Sequence, residues 1–496
     1  MSKAPASAGD FLGHPKGLFL LFTTEMWERF SYYAMRAILV LYLVDRMRSD
    51  GGHGLGWDNA SALQLYGWFT GLVYITPLLG GWLADNVLGQ RKSIIMGGAL
   101  MAAGQFMLGT PHAWIPGMEN QAFYLGLALL IAGNGLFKPN ISTMVGDLYH
   151  EGDHRRDGAF TIFYMGINLG AFLSGIIVGS VVNAFGGSWQ AGFVAAGIGM
   201  LLSLVVQLGF AQKYLGDIGV VPAAKASLAA QADVSKKEPL TKQEFDRIKV
   251  IMIMGVFTII FWAGFEQAGG LMNLYANQFT DRVIGGFEVP TTWFQSLNPF
   301  FIFVFAPLFA AVWVKMGDHE PTSPVKFSLG LVLLAVGFLF MIGATLSQGG
   351  DITVKTGMYW LVLAYFFHTM GELCLSPIGL SMVTKLAPLR LASLMMGAWF
   401  GFTALANYLA GFIGSFIGHG DEANMVDNAL SIFGGIAITA VAAAAILFFM
   451  ANKLVYWMHG AEGNVGGAQG HRGALAVTEE EIGVTGAHEG AAKDHM

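Results

Sequence analysis

Long apolar runs, separated by charged or Pro/Gly-rich breaks, recur twelve times along the chain. They lie at 17–44, 58–85, 92–110, 120–147, 158–184 and 188–211, then at 247–279, 292–316, 325–347, 356–386, 391–418 and 427–457. A helix needs about 20 apolar residues to cross a hydrocarbon core of about 30 Å. The pattern therefore predicts an all-α membrane protein with 12 transmembrane helices in two six-helix bundles. Several runs are longer than the core requires, so tilt or protrusion is expected.

The breaks give the domain organisation. Residues 1–16 form an N-terminal tail, 17–211 a first six-helix bundle, 212–246 a polar linker, 247–458 a second bundle and 459–496 a tail. The linker is too short for two further spans. The tail is rich in Gly, Ala, Glu and His without apolar period, and is expected to be disordered. The first run carries Glu and Arg and has no short apolar core with a cleavage site, so it reads as a retained span rather than a signal peptide. A faint repeat links PLLGGWL at 77–83 with PLFAAVW at 307–313, each near the same end of the second helix of its half. Duplication of a six-helix unit would leave such a trace.

Lys and Arg set the orientation. Of the 27, the loops and tails on the side of the chain termini hold 20, and the opposite loops hold only Arg46, Arg48, Arg282 and Lys355. This bias places both termini in the cytoplasm. Three bases remain inside spans: Arg29, Arg36 and Lys138.

Composition agrees with the pattern. Hydrophobic residues are 54% and charged residues 12% of the chain, against about 25% charged in soluble domains. Gly is frequent, 67 of 496 residues, which suits closely packed membrane helices. The net charge of −6 argues against a nucleic-acid partner. The single cysteine, Cys374, cannot form an internal disulfide. No GxxxxGK[ST] loop is present for an ATPase. His319-Glu320 lacks the second His of HExxH, His150-Glu151 has it at His154 but in the polar break between two apolar runs rather than on a helix, and GxSxG is missing. No cofactor or metal is expected, and the chain does not read as an enzyme.

Ionisable residues at membrane depth are costly and must face a partner or a water-filled cavity. In the first span Glu25, Glu28, Arg29, Tyr32, Tyr33 and Arg36 fall within an arc of about 140°, a polar stripe on an apolar helix. It reads as a cavity wall, or more plainly as a salt-bridge cluster that fixes packing. Lys138, beside Pro139 in GNGLFKPNIS, needs a carboxylate, and Glu25 or Glu28 is the natural candidate. Trp262 and Glu266 share a face of FWAGFEQAGG. His368, Glu372 and Ser376 step by four along another, and His368 alone reads as a packing residue. The acids Glu25, Glu28, Glu266 and Glu372 nearly balance the three bases, an arrangement in which protons and partners can be exchanged. Bases lie in the first half and acids in the second, which suits a zwitterion. Tyr32, Tyr33, Tyr74, Tyr164, Trp262 and Trp399 flank these positions. Asn168 and Asn298 are mid-span amides that either contact a substrate or glue helices together. GINLG (Gly166, Gly170) and GAWFG (Gly397, Gly401) offer close helix contacts.

GGWLADNVLGQRKSI at 80–94 resembles the cytoplasmic signature of the major facilitator superfamily, with Gly81, Asp85, Gly89, Arg91 and Lys92 at the matching positions. There Asp85 would cap or pair across helix ends, and Arg91 and Lys92 would sit among lipid headgroups. EMWERFSYY at 25–33 resembles the ExxERFxYY motif of the proton-dependent oligopeptide transporter family. GNGLFKPNISTMVGDLY, FYMGINLGAF, FWAGFEQ and GELCLSPIG resemble its further motifs, in order. The resemblance implies the major-facilitator fold and proton-driven import of di- and tripeptides by alternating access. It implies that Arg29 and Lys138 hold the peptide carboxylate and Glu372 the amino terminus. Tyr33, Tyr74, Asn168 and Asn298 would contact the peptide backbone, and Trp262 and Trp399 would line side-chain pockets. Tyr32 and Ser376 join the candidate binding residues from their helix faces. Glu25 and Glu28 would carry or relay the proton together with Lys138, and Glu266 would reset a gate. The implied setting is the bilayer of a bacterial inner membrane, as a monomer.

Two departures stand out. Many bacterial members carry two extra helices in the central linker, which is too short here. Animal members carry a His seven residues before the second-helix Tyr, where this chain has Gly67, so protonation should rest on the glutamates. The alternative is a carrier of nitrate or another small anion, which Glu372 disfavours. An intramembrane hydrolase would need a metal-ligand or nucleophile–base pair, and a receptor would need a signalling domain.

Overall fold

The computed structural model describes residues 10–47, 52–150, 153, 155–222, 239–388, 391–418 and 424–461. Helices α1 (Lys16–Val44), α2 (Asn59–Leu83), α3 (Gln90–Leu108), α4 (Glu119–Asp147), α5 (Arg155–Ala184) and α6 (Trp189–Leu215) form the first bundle. The second contains α7 (Lys242–Phe265), α8 (Leu271–Gln278), α9 (Leu297–Met316), α10 (Ser323–Gln348), α11 (Met358–Leu386), α12 (Ala392–Gly414) and α13 (Met425–Trp457). With α7 and α8 taken as one broken span, the described residues hold twelve long segments, and nine of these are apolar and long enough to cross a membrane. The other three are α1, with Glu25, Glu28, Arg29 and Arg36 inside it, and α2 and α3, which are diluted by Gly, Ser, Thr and Gln. The outward faces are apolar: Ile438 and Phe449 on α13 are largely exposed, as expected where acyl chains replace water.

Helix starts follow local chemistry. Asp58 accepts from the Ser61 amide at 2.9 Å and opens α2. Thr241 and Glu244 form a reciprocal capping box that starts α7 at Lys242, five residues before the apolar run, satisfying otherwise orphaned amides. The seventh span is not one helix. It breaks after Phe265 into a 3₁₀ turn, Glu266–Ala268, and resumes after Gly269-Gly270 as α8. The break frees the Ala268 carbonyl, which accepts from Gln295 at 2.8 Å and Tyr365 at 3.1 Å. Irregular backbone at membrane depth is tolerated where it is buried in protein or lines a cavity.

The two halves meet at the end of the molecule where α1 finishes and α2 begins, called here the distal end. Every hydrogen bond between them among the described residues lies at or beyond mid-span on that side. Asn273 donates to the Ala37 carbonyl at 2.9 Å, Thr292 to Gly175 at 2.8 Å and Ser296 to Phe172 at 2.7 Å. The α2–α12 crossing is backbone against backbone: a Cβ on Gly411 would lie 2.4 Å from the Gly67 Cα and the Leu63 carbonyl oxygen. Gly67 thus occupies a place with no room for a side chain while the distal end is closed. Of the two GxxxG spacings, Gly166 and Gly170 do pack tightly on α1, where a Cβ on Gly170 would meet the Met26 carbonyl at 2.2 Å. Gly401 faces open space and Gly397 only the end of Leu78, so that pair is not a tight crossing.

The opposite end corrects the reading of the 80–94 motif. Arg91 is buried, not in a headgroup zone. Its guanidinium donates to the Ala211 carbonyl at 2.6 Å and Gln212 Oε1 at 2.9 Å, and its amide to Gly219 at 2.9 Å. Gly89, at φ 81°, lies against the Val220 carbonyl, 2.7 Å from where its Cβ would stand. The α2–α3 loop therefore clamps the first residues of the linker onto α6. Asp85 and Lys92 are exposed, and neither forms an ion pair among the described residues. The remainder of the linker, 223–238, and the tail beyond 461 lie outside the described residues.

Candidate functional site

A cavity of about 260 Å³ lies between the halves. The first half contributes Tyr33 and Arg36 from α1, Tyr74 from α2, and Tyr164 and Asn168 from α5. The second contributes Trp262 and Glu266 around the break, Asn298 from the first turn of α9, Glu372 and Ser376 from α11, and Trp399 from α12.

The stripe on α1 divides into two clusters at different depths. Near its middle, Arg29 is held by both Glu25, at 3.0 Å, and Glu28, with Glu28 Oε1 accepting from Nη2 at 2.7 Å. All three are buried, and none borders the cavity. Two turns on, Arg36 pairs with Glu266 across the interface and donates to the Tyr66 hydroxyl at 2.7 Å. This buried pair ties α1 to the break after α7. Removing one member of such a pair strands the other, at about 3–5 kcal/mol, and the pair, called here the lock, links the two halves at the closed distal end. A Cβ on Gly269 would meet the Tyr66 hydroxyl at 2.0 Å, so a glycine at the break lets the lock form.

Lys138 does not take the expected carboxylate. Its ammonium stands 4.3 Å from the centre of the Tyr74 ring, a cation–π contact, with no salt bridge among the described residues. Glu25 and Glu28 are already engaged by the nearer Arg29. Of the two bases proposed for a carboxylate, Lys138 thus adjoins the cavity through Tyr74, whereas Arg29 is covered by acids. Tyr32 is also off the wall, packed in the core edge-on to Tyr33 and beside Arg29.

In the second half, Asn298 donates to Glu372 Oε2 at 2.7 Å and to the Thr369 hydroxyl at 3.1 Å. Asn298 therefore aims Glu372 into the cavity as well as lining it. No cation lies within salt-bridge distance of Glu372 among the described residues. Asn168 donates to the Tyr164 carbonyl one turn back at 3.0 Å. His368 is enclosed by Phe338 and Phe265, with both ring nitrogens unpartnered among the described residues. It packs, and is not satisfied as such a histidine usually is.

Sequence reasoning left out Tyr66, Gln295 and Tyr365, which hold the break and its lock. Tyr365 stands seven residues before Glu372, on the same helix face, and that spacing was a usable signal. Nothing local marks Tyr66 or Gln295, because their partners, Arg36 for the one and Ala268 and Tyr365 for the other, lie on different helices, 27 to 70 positions away.

Comparison with known proteins places this arrangement. The profile described as the POT family matches residues 91–214 and 221–430. The chain belongs to the POT family. Relatives include the uncharacterized transporter YclF of Bacillus subtilis, 39% identical over 80% of this chain and 87% of that protein. The peptide transporter YePEPT of Yersinia enterocolitica is 35% identical over 91% of this chain and 97% of its own length. Among solved structures, that of a peptide transporter POT in complex with sulfate superposes with TM-score 0.82 at 36% identity, covering 92% of this chain and 98% of the other. A POT family transporter in complex with 5-aminolevulinic acid gives 0.78 at 30% identity, covering 90% and 98%. The POT-family chain is thus an integral membrane protein with the major-facilitator fold.

A mutation tests the geometry of the closed end. Gly411→Val places two methyls where backbone atoms already lie, and neither the Gly67 Cα nor the Leu63 carbonyl can rotate away. Overpacking costs about 1–3 kcal/mol, enough to disfavour the distally closed state by roughly 5- to 150-fold. A cysteine placed at Tyr33 should then react with an impermeant maleimide added from the distal side far faster than in the parent. Unchanged reactivity would mean that the crossing yields without opening.

Proposed function

We propose that this chain is a proton-coupled symporter of di- and tripeptides that works by alternating access. The observation that carries the proposal is the opposition of charge across one cavity. A carboxylate with no cation in salt-bridge range among the described residues, Glu372, is aimed inward from the second half, and Lys138 stands behind Tyr74, which lines the first. A short peptide spans roughly 7–10 Å between its termini, at about 3.3–3.6 Å per residue, and would bridge the two. Its amine would meet Glu372 and its carboxylate Lys138, with Tyr33, Tyr74, Asn168, Asn298 and Ser376 offering partners to its backbone. Trp262 and Trp399 would receive side chains. Glu25 and Glu28, sharing Arg29, supply the proton site, and Glu266 with Arg36 supplies the distal lock. The relatives named as peptide transporters support this reading. With both termini in the cytoplasm of a bacterial inner membrane, the closed distal end is the outer face, and the protein works as a monomer in the bilayer.

Glu372 disfavours the alternative cargo, nitrate or another small anion, because an anion gains nothing from an inward carboxylate. Ligand-induced stabilisation of the purified protein separates the two. A saturating dipeptide at 100 times its Kd should add about 2.7 kcal/mol and raise Tm, and nitrate at matched ionic strength should not. Stabilisation by nitrate alone would support the anion carrier.

A further inference from the structure

Asn134, on α4 one turn before Lys138, is buried to 1% exposure inside the first half. Its amide nitrogen donates to Glu28 Oε1 at 3.4 Å. Its amide oxygen has no hydrogen-bond partner among the described residues. A buried, unpaired amide oxygen is unusual and calls for a donor. Glu28, which the same amide already contacts, becomes such a donor once its carboxylate takes up a proton.

We propose that Asn134 is the positioning residue for proton uptake at Glu28, donating to the ionised carboxylate through its nitrogen and accepting the carboxyl O–H through its oxygen once Glu28 is protonated. A half-turn about the Cβ–Cγ bond exchanges the two atoms, which sit on one planar amide. The step balances simply. A hydronium ion entering with water gives its proton to Glu28 Oε1, the new O–H bond forms, and water is released. The Asn134 N–H···Glu28 contact is replaced by Glu28 O–H···Asn134. Glu28 goes from one negative charge to none, and Arg29 keeps Glu25 as its counter-ion at 3.0 Å. Glu25, Glu28, Arg29 and Lys138 then pass from net zero to one positive charge, which favours a carboxylate beside Lys138.

The groups facing this pair are limited. On α1 they are Glu25, Arg29 and Tyr33, on α4 Lys138, and on α2 Tyr74 under Lys138. Glu266 lies across the interface, paired with Arg36. The packed faces of α3 and α6 present uncharged Gln105, Ser203 and Gln207 to α1, and α5 presents Tyr164 and Asn168 from the cavity side.

The inference rests on the proton-coupled reading, and its test keeps the two apart. Asn134→Val and Asn134→Thr are nearly isosteric and differ in whether a hydroxyl remains. Ionised Glu28 keeps both bonds from Arg29 in either variant and gives up only the long 3.4 Å contact from the Asn134 nitrogen, whereas protonated Glu28 loses its acceptor outright in Asn134→Val alone. That variant should therefore need more acid. The midpoint of the pH profile of gradient-driven dipeptide uptake should fall by about one pH unit, a tenfold change in proton concentration. Asn134→Thr should return it most of the way to the parent value. A packing defect would instead lower the maximal rate at every pH and leave the midpoint in place. A parent-like midpoint in Asn134→Val overturns the proposal and points to Glu25 Oε2 as the acceptor. Equal shifts in both variants overturn it as well. Should Asn134→Val fail to insert, Asn134→Ala against Asn134→Ser makes the same comparison. If the parent protein shows no gradient-driven uptake, the proton-coupled reading fails first.

Discussion

Glu28→Gln is expected to abolish accumulation of a dipeptide against its gradient while leaving peptide counterflow measurable. Glu25 and Glu28 share one guanidinium, and both are buried, so one of the two can take a proton without leaving Arg29 unpaired. Gln at 28 mimics the protonated acid permanently. It still accepts from Arg29, so insertion and folding should survive, and Glu25 remains as counter-ion. The carrier can then still cycle with peptide but cannot return a proton. One proton moving down one pH unit supplies about 1.4 kcal/mol, enough for roughly tenfold accumulation. In proteoliposomes under that gradient the ratio of internal to external peptide should fall to about one. Full accumulation by Glu28→Gln would remove Glu28 from the coupling step and leave Glu25 or Glu266 as the carrier.

Glu372→Gln should weaken binding of free-amine dipeptides by roughly 10- to 150-fold, the value of a charge-assisted hydrogen bond at about 1.5–3 kcal/mol. Asn298 holds the carboxylate toward the cavity at 2.7 Å, and no cation is close enough to neutralise it among the described residues. An isolated buried carboxylate is unfavourable, and a substrate ammonium removes that penalty. N-acetylated dipeptides lack the ammonium, so they should bind poorly to the parent protein and lose little more in the variant. Titration of purified protein with matched free and acetylated peptides gives both numbers. Equal losses for the two would assign Glu372 to structure or to proton transfer.

Much of this was legible in the chain because membrane solvation leaves few solutions. Apolar runs of sufficient length must be helices, and the twelve expected spans fall close to the observed ones. The exception is the seventh, where Gly269-Gly270 interrupts an otherwise apolar run. A hydropathy window averages over that interruption, although Glu266 beside two glycines was a visible warning. Charges at membrane depth announced themselves, and Glu266, Glu372, Tyr33 and Tyr74 do border the cavity. Their partners did not. Helical spacing put Glu25, Glu28 and Arg29 on one face, yet it could not say that Arg29 would saturate both acids and leave Lys138 to an aromatic ring. Nor could it show that Arg36 reaches Glu266, 230 positions away. Arg91 misled for a related reason. A base after a short loop looks like a headgroup anchor until the end of α6 and the start of the linker are seen to cover it.

The most direct measurement is uptake of a labelled dipeptide into proteoliposomes of the purified protein, with and without an imposed inward proton gradient and at fixed membrane potential. Proton-coupled symport predicts accumulation above equilibrium with the gradient, its loss on adding a protonophore, and simple equilibration without it. Uptake that is the same in both conditions would contradict proton coupling, and no dipeptide uptake alongside nitrate uptake would contradict the peptide cargo.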